Sequence, residues 1–146
     1  MIIHLTPAEI LQAGIVGLRR RVDSINKKST DVVGSSNGWE NELEGALAEM
    51  AVAKALGSFF DPNIGKYGTA DVCDYHVRQT KYHDGHLRIE RHEKHGKYLL
   101  VTGQMGEYNI RGWIDAEKAR QERFLCVKHQ GRPPAYWIPQ SELESV

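Results

Sequence analysis

The chain has 146 residues, 40% of them apolar and 26% charged, the profile of one folded domain with its own core and not of a disordered or fibrous chain. Basic and acidic residues balance at 19 each, so the net field does not single out a polyanion, and attraction to phosphate has to come from local clusters. Two cysteines, Cys73 and Cys126, are too few for a disulfide framework or a cysteine-based zinc site, and their neighbours Val72, Leu125 and Val127 predict buried thiols.

No run approaches the roughly 18 apolar residues of a membrane span. The opening MIIHLTPAEI lacks the charged-then-apolar layout of a signal peptide. The expectation is a cytoplasmic protein that does not insert into a membrane.

IIHL reads as a short strand. TPAE then starts a helix, with Thr6 as cap, Pro7 at the first helical position and Glu9 closing a capping box. Ile10, Leu11, Ile15 and Leu18 continue an apolar stripe that Val22 and Ile25 extend, which predicts the buried face of that helix. The basic run Arg19-Arg20-Arg21, carried on by Lys27-Lys28, reads as a solvated face.

DVVGSSNG is a glycine- and serine-rich loop ending in Asn37, three residues before Glu40, a second capping signature. The helix that follows, about Glu40 to Leu56, stops at Gly57. Leu43, Leu47, Met50, Val52 and Leu56 surround it, which predicts a helix sandwiched in the core. At about 100° per residue, Glu49 shares its side of this helix with Glu42, Gly45, Ala46, Val52, Ala53 and Leu56. A carboxylate there has to be paired, hydrogen-bonded or metal-bound if it is buried. The open alternatives are a salt bridge to an arginine from the sheet, a face bordering solvent, or a functional site.

Beyond Gly57 the chain changes character. YHVRQT, GHLRIERH, KYLLVTG, EYNIRGWI, RFLCVKH and AYWIPQ read as short strands rich in β-branched and aromatic residues. Asp84-Gly85 predicts a hairpin between the first two, His95-Gly96 a turn before the third, and DAEKARQE a helix. The fold class expected is α+β: a single domain over residues 1–146, with the central helix packed on a mixed, mostly antiparallel sheet.

Asp71 follows a glycine turn in YGTADV. His76 and Arg78 flank Val77 on the next strand and share a face, with Val77 directed to the core. In these residues the chain resembles the PD-(D/E)XK nuclease superfamily. The resemblance spans roughly Glu42 to Lys81, and the wider run from DVCDYHVRQT to AYWIPQSEL looks like small phage-encoded proteins of that type. It implies a restriction-endonuclease-like core, with Glu49 as the helix acid, Asp71 as the metal-binding aspartate, His76 in place of the second acid and Arg78 in place of the lysine. A second register puts Gln79 and Lys81 in those two roles.

The resemblance implies hydrolysis of DNA phosphodiester bonds with Mg²⁺ or Mn²⁺ held by Glu49, Asp71 and His76. Hard oxygen ligands suit those ions. The metal lowers the pKa of a bound water and polarises the phosphoryl oxygen, while a nearby cation stabilises the developing charge. Arginine clamps phosphate but is a poor base. The triplet His-Val-Arg in place of Glu-X-Lys keeps a second reading open: a catalytically inactive, nuclease-like accessory factor that binds DNA or a protein. A homo-oligomer is compatible with either.

The pairs His83/His86 and His92/His95 have a spacing that can bind zinc, but three residues along a strand turn the two rings to opposite faces, so polar hairpin positions are expected. Trp113, Tyr136 and Trp137 follow the strand pattern and predict core positions. GRPP, Gly131 to Pro134, is a rigid turn before the last strand; Arg132 could reach phosphate from it, but nothing in the sequence demands that. GKYGT lacks P-loop spacing, and no nucleophile elbow or dinucleotide fingerprint is present, which disfavours acyl-transfer hydrolases and nucleotide-cofactor enzymes.

Overall fold

The computed structural model describes residues 1–27, 38–65 and 69–146. In chain order the elements are β1 (Ile2–His4), α1 (Pro7–Asn26), α2 (Gly38–Leu56), β2 (Tyr75–Thr80), β3 (Leu87–Glu90), β4 (Lys97–Gln104), β5 (Glu107–Asp115), α3 (Ala116–Ala119), β6 (Leu125–Cys126) and β7 (Ala135–Ile138). The glycine-serine loop up to Asn37, with its capping signature, and the middle of GKYGT lie outside the described residues.

β4 organises the layers. Every residue from Tyr98 to Thr102 is buried, the unbroken run that a strand covered on both faces requires. Leu99 and Val101 pack with Val77 and with residues of both long helices, whereas Tyr98 and Leu100 pack with Leu87, Ile89, Tyr136 and Ile138. The result is three layers: helices, a four-stranded sheet ordered β1-β5-β4-β2, and a three-stranded sheet ordered β3-β7-β6. The four-stranded sheet is mixed, because β2 runs parallel to β4 while β1, β5 and β4 are antiparallel neighbours. A register shift between Leu100 and Val101 leaves Arg111 unpaired on β5. That extra residue turns the alternation over, so Tyr108 and Ile110 face the helices while Ile114 faces the small sheet.

The whole is a mixed α+β single domain with helices packed on a mostly antiparallel sheet. α2 is the sandwiched helix expected, with every residue from Ala46 to Ala53 buried between α1 and the sheet. Among the described residues no helix is long and apolar enough to cross a membrane.

Several expectations fail for tertiary reasons. The stripe Leu11, Ile15, Leu18, Val22 and Ile25 is exposed, and α1 buries Ala13, Val16 and Gly17 instead. Close approach to α2 selects small residues: a Cβ at Gly17 would meet the Glu42 carbonyl oxygen at 2.7 Å. Asp84-Gly85 joins no hairpin, because β2 and β3 belong to different sheets. The helix expected from DAEKARQE is only the four residues of α3, followed by a 3-10 turn at Glu122–Phe124. Both cysteines are exposed: Cys73 sits in a turn at positive φ, and Cys126 lies on the two-residue outer strand β6.

Candidate functional site

The Thr6 capping box sets the start of α1, with the Thr6 side chain accepting from Glu9 N–H and the Glu9 carboxylate accepting from Thr6 N–H. Lys54 near the end of α2 bonds Glu9 at 2.8 Å, while Gly17 touches Glu42 and Leu43 near its start. These contacts at the two ends make α1 and α2 antiparallel. Arg20, on the same side of α1 as Ala13, Val16 and Gly17, thereby reaches along α2 to Glu49.

The Arg20 guanidinium donates to Glu49 Oε1 at 2.8 Å and Oε2 at 2.9 Å, and its Nε donates to the Asn63 carbonyl at 3.1 Å. The two side chains are 17% and 11% exposed. The partner of the buried glutamate is therefore an arginine, as one alternative held, but it comes from a helix and not from the sheet. The middle arginine of the basic run is not part of a solvated face. Burial pushes the Glu49 carboxyl up, and the charges of Asp71 and Glu42 push it further, against the downward pull of Arg20. Burial also opposes the Arg20 charge, but the bonds and charge of Glu49, with Asp71 and Glu42, outweigh it and hold the guanidinium above its ordinary value. Two bonds of this length describe an ionised, bidentate pair.

Asp71 lies along the open edge of β2. Its Oδ2 accepts from Val77 N–H at 2.7 Å, and Arg78 curls back so that its guanidinium donates to the Val77 carbonyl at 3.1 Å and stands 3.9 Å from Asp71 Oδ2. Val77 thus has both of its outward backbone groups capped by side chains. A small cavity of about 180 Å³ is lined by Asp71, Glu42, Asp23 and Arg20, among others. Folding does bring Glu49 and Asp71 into one electrostatic neighbourhood, and the positive charge there is the guanidinium of Arg20.

The remaining predicted residues are divided by the sheet. Val77 faces the helices, so Gln79 follows it in phase, and His76 and Arg78 face the small sheet; Lys81 lies just past the end of β2. His76 stacks on Tyr98 with ring centres 4.8 Å apart. Arg78 lies 5.0 Å from the centre of the same ring and pairs with Glu93. Glu93 also accepts from the Glu90 N–H at 2.8 Å, which ties β3 to the same point. Gln79 donates to the Gly103 carbonyl at 2.6 Å, and Lys81 stands over the Tyr82 ring. Asp71 and Arg78 are brought together, Glu49 feels Asp71 only through its charge, and His76 is on the opposite side of the sheet from Glu49. Among the described residues no group of three or more histidine, cysteine, aspartate or glutamate side chains is placed to hold a metal ion, and this covers the histidine pairs as well.

A larger concavity lies elsewhere. A cleft of about 890 Å³ opens between the β2 side of the large sheet and the small sheet, reaching from the first turn of α2 to the loop between β6 and β7. Several of its charges are internally matched: Arg78 with Glu93, Arg88 with Glu90 at 2.6 Å, and Glu44 with the Tyr108 hydroxyl at 2.6 Å. Lys81, Lys128 and Arg132 line it too, and among the described residues none of the three forms an ion pair with a carboxylate. Trp137, half-buried, has Lys128 at 4.5 Å and Arg88 at 5.6 Å from its ring centre. Burial and the Lys128 charge both hold the His86 imidazole below its ordinary value.

Sequence reasoning missed Arg20 and Lys128 and assigned Trp137 to the core. The signal for Arg20 was its phase: it follows Ala13, Val16 and Gly17 on one side of α1. Nothing local marks Lys128, because the β6–β7 loop is carried to the cleft by the pairing of β7 with β3. Compared with protein-family models, with curated proteins and with solved structures, the chain matches none.

Proposed function

We propose that the protein binds a nucleic-acid strand in the cleft between its two sheets, with phosphates against Lys81, Lys128 and Arg132 and a base against Trp137. The observation that carries this reading is that three cations without carboxylate partners line the same cleft as a half-buried tryptophan, with Lys128 over its ring. Unmatched lysine and arginine release counterions on meeting a phosphate backbone, and an aromatic ring accepts any base by stacking. In this reading the Arg20–Glu49 pair and the Asp71 edge cap hold the scaffold, and the chain is a binding protein of the kind expected of a phage accessory factor.

A second reading is favoured by one observation, the charge coupling of Asp71 and Glu42 to Glu49. In it the scaffold is restriction-endonuclease-like and the corner lined by Asp71, Glu42 and Arg20 takes Mg²⁺ or Mn²⁺ for hydrolysis of DNA. An ion there has to compete with Arg20 for Glu49, whose two oxygens are already taken.

One experiment serves both. Fluorescence anisotropy of labelled single- and double-stranded DNA, in chelator, should show salt-dependent binding. Lys128→Glu with Arg132→Glu should weaken it and lower the salt slope by about 1 for each phosphate no longer neutralised. Unchanged binding by that variant overturns the cleft. Cleavage on adding Mn²⁺ that disappears in Asp71→Ala establishes the second reading.

A further inference from the structure

The outer face of α1 is built for another helix. Leu11, Ile15, Leu18, Val22 and Ile25 follow one another at intervals of four, three, four and three residues, the spacing of a strict coiled-coil seam. They are 44% to 65% exposed. At about 100° per residue they centre roughly opposite the Ala13, Val16, Gly17 and Arg20 face that meets α2. A surface helix with one core face has no need of this second stripe. A groove of about 320 Å³ runs beside its C-terminal half, lined by Leu18, Val22, Asn26 and Ile64 among others.

We propose that this face is a homodimer interface in which α1 packs antiparallel on α1 of a second copy. The antiparallel sense follows from where the groove lies. It sets the Leu11 and Ile15 ridge of each copy over the C-terminal groove of the other, so one twofold operation satisfies both halves. A parallel pairing would set groove against groove. Leu11 then meets Val22 of the second copy, and Ile15 meets Leu18. Gln12, Gly14, Arg19 and Arg21 flank the seam, so no like-charged pair is forced together in that layer, and Asp23 in the groove is paired with Lys27. The opposed helix ends also align the two macrodipoles favourably.

The area is sufficient. Half the surface of a helix about 30 Å long and about 11 Å across is roughly 500 Å². Two copies therefore cover about 1,000 Å², the lower bound of a specific interface, and Ile64 with the groove walls adds to it. An interface of this size gives a dimer that dissociates on dilution.

Sedimentation velocity on the full chain, over a roughly hundredfold concentration range, should show a reversible monomer–dimer equilibrium. Ile15→Lys and Leu18→Glu should each shift it to monomer with an unchanged circular dichroism spectrum, because both positions are exposed in the single copy. Ile2→Ser, exposed but off the seam, should leave it unchanged. Mixing Ile15→Lys with Leu18→Glu should restore a heterodimer, because the antiparallel layers bring lysine against glutamate. A monomer at every concentration overturns the interface, as does a dimer that survives both single variants. A mixture that stays monomeric overturns the antiparallel seam.

Discussion

Arg20 and Glu49, 29 residues apart, close on each other with two hydrogen bonds of 2.8 and 2.9 Å inside the contact between α1 and α2. The pair is mostly desolvated, so removing one member leaves the other charged and unmatched. Arg20→Ala should cost about 3–5 kcal/mol, whereas Arg20→Met with Glu49→Leu, which removes both charges and keeps the volume, should cost far less or nothing. Urea unfolding of the two single variants and the double variant measures this. A double variant as unstable as Arg20→Ala alone would show that the pair does more than neutralise itself.

Two glycines on α1 should respond in opposite ways to the same substitution. A Cβ at Gly17 meets the Glu42 carbonyl oxygen at 2.7 Å and Leu43 Cα at 2.8 Å, both rigid backbone, while at Gly14 the nearest atom is Leu43 Cδ2 at 4.0 Å. Gly17→Ala should therefore lose about 1–3 kcal/mol by forcing the helices apart. Gly14→Ala should gain about 0.4–1 kcal/mol by restricting the unfolded chain. Thermal melts of both variants decide it.

The edge of β2 is protected at one residue. Val77 offers N–H and C=O outward, and Asp71 and Arg78 occupy them. Asp71→Ala should cost about 1–3 kcal/mol through the bared N–H. Asp71→Ala with Arg78→Ala should in addition aggregate on heating, because an open, unguarded edge pairs with another chain. Light scattering during a thermal ramp reads the second effect. Equal scattering by the double variant and the natural chain would remove the protective role.

The start of α1 should carry a measurable pH dependence. The hydrogen bond from Lys54, then the backbone N–H of Thr6, hold the Glu9 carboxyl below its ordinary value of 4.5. A folded-state value below the unfolded one stabilises the protein fully above pH 4.5, and the contribution is lost as pH falls through the folded value. The stability gap between the natural chain and Glu9→Gln should thus be constant at neutral pH and close on acidification below 4.5. Thr6→Ala, which removes the other half of the box, should cost about 1 kcal/mol across the range. A gap that widens on acidification would contradict the assignment.

Local chemistry was legible wherever one short stretch suffices to express it. Thr6, Pro7 and Glu9 announce the start of α1 because a capping box is closed within four residues. Val77 between His76 and Arg78 announces its burial because alternation on a strand has period two. The Glu49 problem was legible too, since a helical wheel shows a carboxylate among small apolar residues without any knowledge of its partner.

What the tertiary structure alone decided is which surfaces meet. The apolar stripe on α1 has the stronger periodicity, yet Gly17 and Ala13 win the contact with α2, because close backbone approach rewards small side chains that a hydrophobicity pattern scores as weak. YHVRQT pairs in parallel with KYLLVTG and not with its neighbour GHLRIERH, because strand pairing is set by non-local burial, and the Asp84-Gly85 turn only permits a hairpin. The chain by itself determined its long helices and most of its strands and posed the question of Glu49. The answer, Arg20, required two helices to pack, since a counter-charge 29 residues distant is selected by proximity in space, which no local pattern encodes.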